Sequence, residues 1–192
     1  MGNAMSTNDD DDLMDLDFTN LFDKETKVKE PETTPQQTKE LFDEAIIGES
    51  KLTSNSYFVR LNDSAPRRKP TQAPPTILVV EDDTVTATLI TRILTANGYS
   101  VRHAPDRDGI VAGLKSSPDL VVLDVQMPDA NGFDILNRIR QHPLLKDMPV
   151  LMLTSLGALD DILKGLKLGA NGYLTKPAKS KALLDAVKTV LA

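Results

Sequence analysis

The sequence predicts an α/β fold with a doubly wound parallel sheet over residues 76–192. Wholly apolar, strand-length runs recur at 77–80, 120–123 and 150–153, as is typical of strands that are buried on both faces. Segments with helical spacing of apolar residues alternate with these strands. Five strands alternating with five helices indicate a flavodoxin-like (βα)5 unit, and we take the strand order 2-1-3-4-5 from that fold class.

The elements follow one another with short connections. The strand at 77–80 ends in acidic residues, and the helix predicted at 84–97 ends before Gly98, a usual stop signal. The later elements are predicted as a strand at 100–104, a helix at 106–116, a strand at 120–123, a helix at 132–141, a strand at 150–153, a helix at 158–168, a strand at 172–174 and a helix at 180–191.

Residues 1–75 have a different composition from the rest of the chain. They hold 15 acidic and 9 basic side chains, the whole net charge of −6, and half of the prolines. Such a segment buries too little apolar surface to offset the entropy of ordering. We therefore expect a largely disordered extension, with short helices near 13–22 and 38–47, a short strand near 57–61 and an extended linker at 65–75. Partner-binding helices and a solubilising tail are both open interpretations of this extension.

The composition excludes several classes of function. The absence of cysteine excludes disulfides, thiolate chemistry and cysteine-based metal sites. Residues 76–192 carry no net charge and no basic stripe, so we expect no direct binding of nucleic acid. No apolar run approaches the roughly 18 residues of a membrane span, and no secretory signal is present, so we expect a cytoplasmic protein that does not insert into membranes. The start at 1–6 formally fits a myristoylation pattern, although a cloning remnant before Met5 is the simpler interpretation.

Reactive polar residues follow four of the predicted strands. Glu81 and Asp82 come after the first strand, Asp124 after the third, Thr154 after the fourth and Lys176 after the fifth. The carboxyl ends of parallel strands meet at one edge of the sheet, where such folds bind ligands. Taken singly, these residues are explained as helix caps or loop residues. Their convergence from four strands favours a functional site.

The residue types in this predicted crevice suit phosphoryl transfer. Three carboxylates repel one another unless a cation lies between them, and oxygen ligands without imidazole or thiolate suit Mg²⁺. Asp124 is then placed as a nucleophile that forms an acyl phosphate. Lys176 offers an ammonium group and Thr154 a hydroxyl group to the phosphoryl oxygens.

These segments resemble the receiver domain of two-component response regulators over about residues 76–192. The resemblance rests on ILVVEDD at 77–83, VLDVQMP at 122–128 followed by Gly132, LTS at 153–155 and YLTKP at 173–177. It implies that Asp124 is the phosphoacceptor. It also implies that Mg²⁺ is bound by Glu81, Asp82, Asp124 and the main-chain carbonyl of Gln126.

The same resemblance implies a switch and a set of partners. Thr154 and Tyr173 match the switch residues, and Lys176 matches the lysine that pairs with the phosphoryl group. The phosphoryl donor would be a histidine kinase or a histidine phosphotransfer protein. A downstream protein would bind residues 158–191, with the N-terminal extension as a further contact, and a phosphorylation-dependent homodimer is left open.

The resemblance also limits the alternatives. Because the sequence ends at Ala192, after the fifth helix, we expect no C-terminal output domain and no enzyme activity beyond assistance to its own phosphorylation and dephosphorylation. A phosphatase of the haloacid dehalogenase type would need a second aspartate where Gln126 stands, together with a cap and a longer chain. A pseudo-receiver would lack one or more crevice residues, and all are present.

Overall fold

The computed structural model of the chain describes residues 30–60, 74–155 and 159–192. Helices and strands alternate through most of these residues. The strands are β1 (Tyr57–Val59), β2 (Thr76–Val80), β3 (Ser100–Ala104), β4 (Leu120–Asp124), β5 (Gln126–Met127), β6 (Ala130–Asn131), β7 (Val150–Thr154) and β8 (Gly172–Thr175). The helices are α1 (Pro35–Asn55), α2 (Thr84–Ala96), α3 (Arg107–Lys115), α4 (Gly132–Gln141), α5 (Leu159–Lys167) and α6 (Ser180–Leu191).

The main sheet confirms the predicted fold class. Its strand order within the described residues is β1-β8-β7-β4-β2-β3, and β5 and β6 form a separate small hairpin. The five strands β2, β3, β4, β7 and β8 are parallel and have the expected order 2-1-3-4-5. All the residues of β2, β4 and β7 are buried, which agrees with their uninterrupted apolar sequences.

Helices cover both faces of this sheet. The helices α3, α4, α5 and α1 pack on one face, and α2 and α6 pack on the other. The boundaries of the elements from β2 to α6 agree with the predicted ones to within one or two residues. The exception is the β5–β6 hairpin, which the sequence did not predict because its strands are only two residues long. Position 158, the predicted start of α5, lies outside the described residues.

The structure corrects the prediction for the chain before residue 76. The expected short helix at 38–47 is the middle of a 21-residue helix, α1, and the expected strand near 57–61 is β1. β1 pairs antiparallel with β8, so the sheet has a sixth strand that the five-stranded prediction lacked. Residues 35–59 are therefore ordered against the sheet. The predicted helix at 13–22 and most of the predicted linker at 65–75 lie outside the described residues.

Two features explain why α1 forms in a segment of such polar composition. At its start, Thr34 and Gln37 make a reciprocal capping box, and Pro35 occupies the first helical position. Along its length, Leu41, Ala45 and Leu52 form a buried stripe within the main core. Helical stability in proteins comes mainly from the packing of such a face, and composition averaged over 75 residues does not reveal a single buried stripe.

No helix within the described ranges is long and apolar enough to cross a lipid bilayer.

A buried carboxylate ties together the starts of two central strands. Asp119, which is 1% exposed, accepts a hydrogen bond from the backbone N–H of Thr76 at 2.8 Å. The backbone N–H of Asp119 donates in turn to the Thr76 carbonyl at 2.7 Å. Asp119 therefore sets the alignment of β4 with β2, on which the positions of the residues after both strands depend.

We predict that Asp119→Ala lowers the free energy of unfolding by about 1–3 kcal/mol, because it leaves the buried N–H of Thr76 without its side-chain acceptor. Urea denaturation measures this change. Asp43→Ala, on the exposed side of α1, is the control and should change stability by no more than about 0.5 kcal/mol. Equal losses in the two variants would contradict the role of Asp119.

Candidate functional site

Three carboxylates meet at the carboxyl edge of the sheet. Glu81 and Asp82 directly follow β2, and Asp124 is the last residue of the neighbouring strand β4. Val80 is in register with Leu123, which places Glu81 beside Asp124. One oxygen from each of the three carboxylates lies within 4.8 Å of the others. The predicted convergence of these residues is thus present in the structure.

Lys176 provides the positive charge of the cluster. It follows β8, and its ammonium lies 2.8 Å from Asp124 Oδ2 and 2.8 Å from Glu81 Oε2. It also donates a hydrogen bond to Glu81 Oε1 at 3.0 Å. One ammonium therefore bridges two carboxylates that belong to different strands.

The burial of this cluster shifts the pKa of two groups. Burial raises the pKa of the Glu81 carboxyl, and the charge of Asp124 raises it further, against the lowering effect of Lys176. Burial lowers the pKa of Lys176, but its hydrogen bonds and charge contacts with Asp124 and Glu81 outweigh burial and leave that pKa raised. The ammonium thus stays charged, whereas Glu81 is held in an environment that penalises its own charge.

The cluster fits a hard divalent cation. Glu81 Oε2 and Asp124 Oδ2 are buried without a well-aligned hydrogen-bond donor, although each is in charge contact with Lys176. Among the described residues, three carboxylates against one ammonium leave excess negative charge. Carboxylate oxygens are the ligands that Mg²⁺ prefers, and Mg²⁺ is commonly held by one or two carboxylates together with phosphate oxygens. The donor set and the charge therefore both suit Mg²⁺.

The loop after β4 is shaped around the Asp124 backbone. The N–H of Gln126 donates to Asp124 Oδ1 at 3.2 Å, at the start of the β5–β6 hairpin. A Cβ atom on Gly132 would lie 2.1 Å from the Asp124 carbonyl oxygen, so only glycine fits where α4 begins. The Gly132 N–H also donates to the Val125 carbonyl at 3.0 Å. This close approach is the physical reason for the glycine in the VLDVQMP…G motif.

The two predicted switch residues have different surroundings. Thr154 ends β7, one residue beyond the register partner of Asp124, and its hydroxyl donates to the Ser155 carbonyl at 3.0 Å. Tyr173 is fully buried beneath α5, and its hydroxyl donates to the Ile162 carbonyl at 3.0 Å. Burial, together with the charge of Asp161, raises the pKa of Tyr173. Thr154 thus lies at the crevice, while Tyr173 is away from the carboxylates.

Two further side chains support the crevice and were not predicted. His103, near the end of β3, places Nε2 2.7 Å from the Glu81 carbonyl oxygen. Arg107, at the start of α3, donates from Nε and Nη2 to the Asp129 carbonyl at 3.2 and 2.7 Å. Both residues bond to main-chain atoms, so no pairing of residue types in the sequence reveals them. The predicted strand order alone could have placed His103 beside β2.

A family model described as the response regulator receiver domain matches residues 77–188, which is more than half of the chain. The chain belongs to this family. The receiver match includes all the crevice residues and begins after α1 and β1.

Named relatives support the same assignment. The transcriptional regulatory protein CusR of Escherichia coli (strain K12) is 40% identical over 116 residues, which are 60% of this chain and 50% of CusR. RpaA of Synechocystis sp., named a DNA-binding dual master transcriptional regulator, is 37% identical over 118 residues, which are 61% of this chain and 49% of RpaA. The structure of the chemotaxis protein CheY4 of Vibrio cholerae aligns with a TM-score of 0.58 and 30% identity, covering 61% of this chain and 98% of that one.

These relatives bear on two predictions, namely that the chain has no C-terminal output domain and that it does not bind nucleic acid directly. The chain spans about half the length of the curated relatives it matches. The name of RpaA describes a DNA-binding protein, which conflicts with the expectation that nucleic acid is not bound directly. What these relatives share with this chain is the receiver domain.

The charge contacts around Glu81 predict opposite effects for two substitutions. Asp124→Asn should lower the Glu81 pKa, because it removes a like charge that raises this pKa. Lys176→Met should raise the Glu81 pKa, because it removes the ammonium that lowers it. A carbon-detected NMR titration of the Glu81 carboxyl group without Mg²⁺ measures both shifts. An unchanged Glu81 pKa in both variants would show that this pKa is set by burial alone.

Proposed function

We propose that this receiver domain accepts a phosphoryl group on Asp124 from a histidine kinase or a histidine phosphotransfer protein. The proposal rests on the contact between the Lys176 ammonium and Asp124 Oδ2 at 2.8 Å. The carboxylates of Glu81 and Asp82 lie beside this contact at the same edge of the sheet. This arrangement combines an acidic nucleophile, a cation site and a fixed positive charge. No general acid or base is needed, because phosphoryl transfer depends mainly on positioning and charge neutralisation.

The residues of the crevice have different roles in this transfer. The Asp124 carboxylate forms a bond to phosphorus while the bond from phosphorus to the donor's imidazole nitrogen breaks. Lys176, already next to Asp124, stabilises the charge on the phosphoryl oxygens. Glu81, Asp82, Asp124 and the main-chain carbonyl of Gln126 would hold Mg²⁺, which neutralises phosphoryl charge when bound.

The signal would leave the crevice through Thr154 and Tyr173. Phosphorylation adds about −1.5 to −2 charges beside the end of β7. The Thr154 hydroxyl can donate to a phosphoryl oxygen only if it gives up its bond to the Ser155 carbonyl. That movement, together with a change in the position of Tyr173, would alter the surface formed by residues 158–191. A downstream protein would recognise this surface.

We predict that acetyl phosphate with Mg²⁺ adds the mass of one phosphoryl group to the protein and that Asp124→Asn abolishes this gain. Intact-protein mass spectrometry at neutral pH measures it. Asp134→Asn, on the exposed side of α4, is the matched control and should be modified like the unchanged protein. No mass gain, or a gain that survives Asp124→Asn, would contradict the proposal.

We also predict that Mg²⁺ affinity falls as the pH is lowered from about 8 to about 5, because a protonated Glu81 carboxyl binds a cation poorly. The Glu81 pKa is raised, so the loss should begin at a higher pH than for an ordinary glutamate. Calorimetric titration with Mg²⁺ at several pH values measures this dependence. In Glu81→Gln the affinity should be lower and its dependence on pH weaker. An unchanged slope in this variant would assign the proton to another group.

A further inference from the structure

The first two carboxylates of the crevice lie just beyond the paired part of the sheet. β2 pairs with the edge strand β3 as far as Val80 and Ala104, and Glu81 and Asp82 follow in the turn that leads to α2. The strand register alone therefore does not set how the chain turns after β2. Further contacts must orient these two residues towards Asp124.

The end of β3 binds the main chain of Glu81 at both its N–H and its carbonyl group. The Glu81 N–H donates to the Ala104 carbonyl at 3.3 Å, and His103 Nε2 lies 2.7 Å from the Glu81 carbonyl oxygen. A carbonyl oxygen only accepts hydrogen bonds, so the His103 ring donates from Nε2. A neutral ring with its proton on Nε2 and a charged ring can both make this bond.

The bond from His103 orients the next residue as well. The Glu81 carbonyl belongs to the peptide group that joins Glu81 to Asp82, and a peptide group is planar. Holding its oxygen therefore sets the direction in which the Asp82 side chain leaves the main chain. Among the described residues, no hydrogen bond or ion pair holds the Asp82 carboxylate itself. The position of this carboxylate thus depends on the main chain that His103 holds.

The Glu81 side chain, in contrast, has contacts of its own. It is fully buried, and the Lys176 ammonium lies 2.8 Å from Oε2 and donates to Oε1. The N–H of Asp83 donates to the same Oε1 at 3.3 Å, and the Asp83 side chain caps α2. Loss of the His103 bond would therefore disturb Asp82 more than Glu81 or the start of α2.

We propose that His103 is a positioning residue of the metal site, whose ring holds the Glu81–Asp82 peptide group so that the Asp82 carboxylate faces the cation. The inference rests on the proposed function, because it concerns the Mg²⁺ that this function requires. Hydrogen bonds that orient metal ligands typically contribute about 10- to 100-fold to metal affinity. The bond from His103 acts through the main chain, and the bond to Ala104 remains without it, so we expect the lower end of this range.

The first test compares variants by calorimetric titration with Mg²⁺ at neutral pH. His103→Leu should weaken Mg²⁺ binding about tenfold. His103→Gln should recover most of this loss, because its amide can donate in place of Nε2. Ser100→Leu places leucine at the other end of β3 and should bind Mg²⁺ like the unchanged protein. Unchanged affinity in His103→Leu, or an equal loss in His103→Gln, would overturn the proposal.

The second test separates metal binding from the transfer step. In phosphorylation by acetyl phosphate, His103→Leu should need about tenfold more Mg²⁺ to reach half of its maximal rate. The rate at saturating Mg²⁺ should stay within about twofold of the unchanged protein, because the lost interaction serves binding of the ion. A lower rate at saturating Mg²⁺ with an unchanged requirement for Mg²⁺ would contradict a positioning role.

The third test needs no variant, because the chain has only two histidines. His142 follows the last residue of α4, a helix of 10 residues that begins beside Asp124, so it lies away from the crevice. Long-range proton–nitrogen NMR spectra should show the His103 ring with a proton on Nε2, and Mg²⁺ should shift the signals of this ring but not those of His142. A His103 ring that does not respond to bound Mg²⁺ would refute the inference even if His103→Leu does not fold.

These outcomes separate the inference from the function on which it rests. Mg²⁺ binding that is independent of His103, together with phosphorylation of Asp124, would remove the role of His103 and leave Asp124 as the phosphoacceptor. Failure of the unchanged protein to bind Mg²⁺ would overturn both.

Discussion

Glu81 and Asp124 are buried carboxylates on neighbouring strands, and the ammonium of Lys176 lies between them. One oxygen of each carboxylate lies within 4.8 Å of the other, and like charges this close destabilise a folded protein unless they are neutralised. The cluster is tolerated because β2, β4 and β8 belong to one sheet with a fixed register. Helices cover both faces of this sheet. Among the described residues, one ammonium against three carboxylates leaves net negative charge, and this charge suits the crevice to a cation. Gathering these charges in a buried crevice lowers stability locally, as is common in functional sites.

Most of this arrangement could be predicted because the sequence encodes it locally. Each central strand is a continuous apolar run that ends at a polar residue, and parallel strands bring their carboxyl ends together. The order of the strands then places Asp124 between the residues that follow β2 and β7. The roles of His103 and Arg107 could not be predicted, since both bond to backbone carbonyls. The distance between a side chain and a distant main-chain atom depends on the finished fold.

The order of residues 35–59 could not be predicted, for a different reason. Its average composition is polar and acidic, and averages describe whether a segment can fold alone. α1 and β1 are ordered by what they touch, namely Ile162 of α5 and the edge of β8, more than 100 residues away in sequence. The short helix predicted at 38–47 includes Leu41 and Ala45, but the sequence does not reveal the surface that these residues contact. A tertiary contact has overridden composition here.

The segment at residues 35–59 is held to the receiver domain by limited contact. α1 buries one stripe and leaves Phe42, Ile46 and Ile47 between 42% and 46% exposed, so only part of its apolar surface contributes to docking. The segment also joins the sheet through a strand of only three residues. Its order therefore depends on the fit of a few contacts, such as those of the Ser56 carbonyl with Thr175, as well as on buried area.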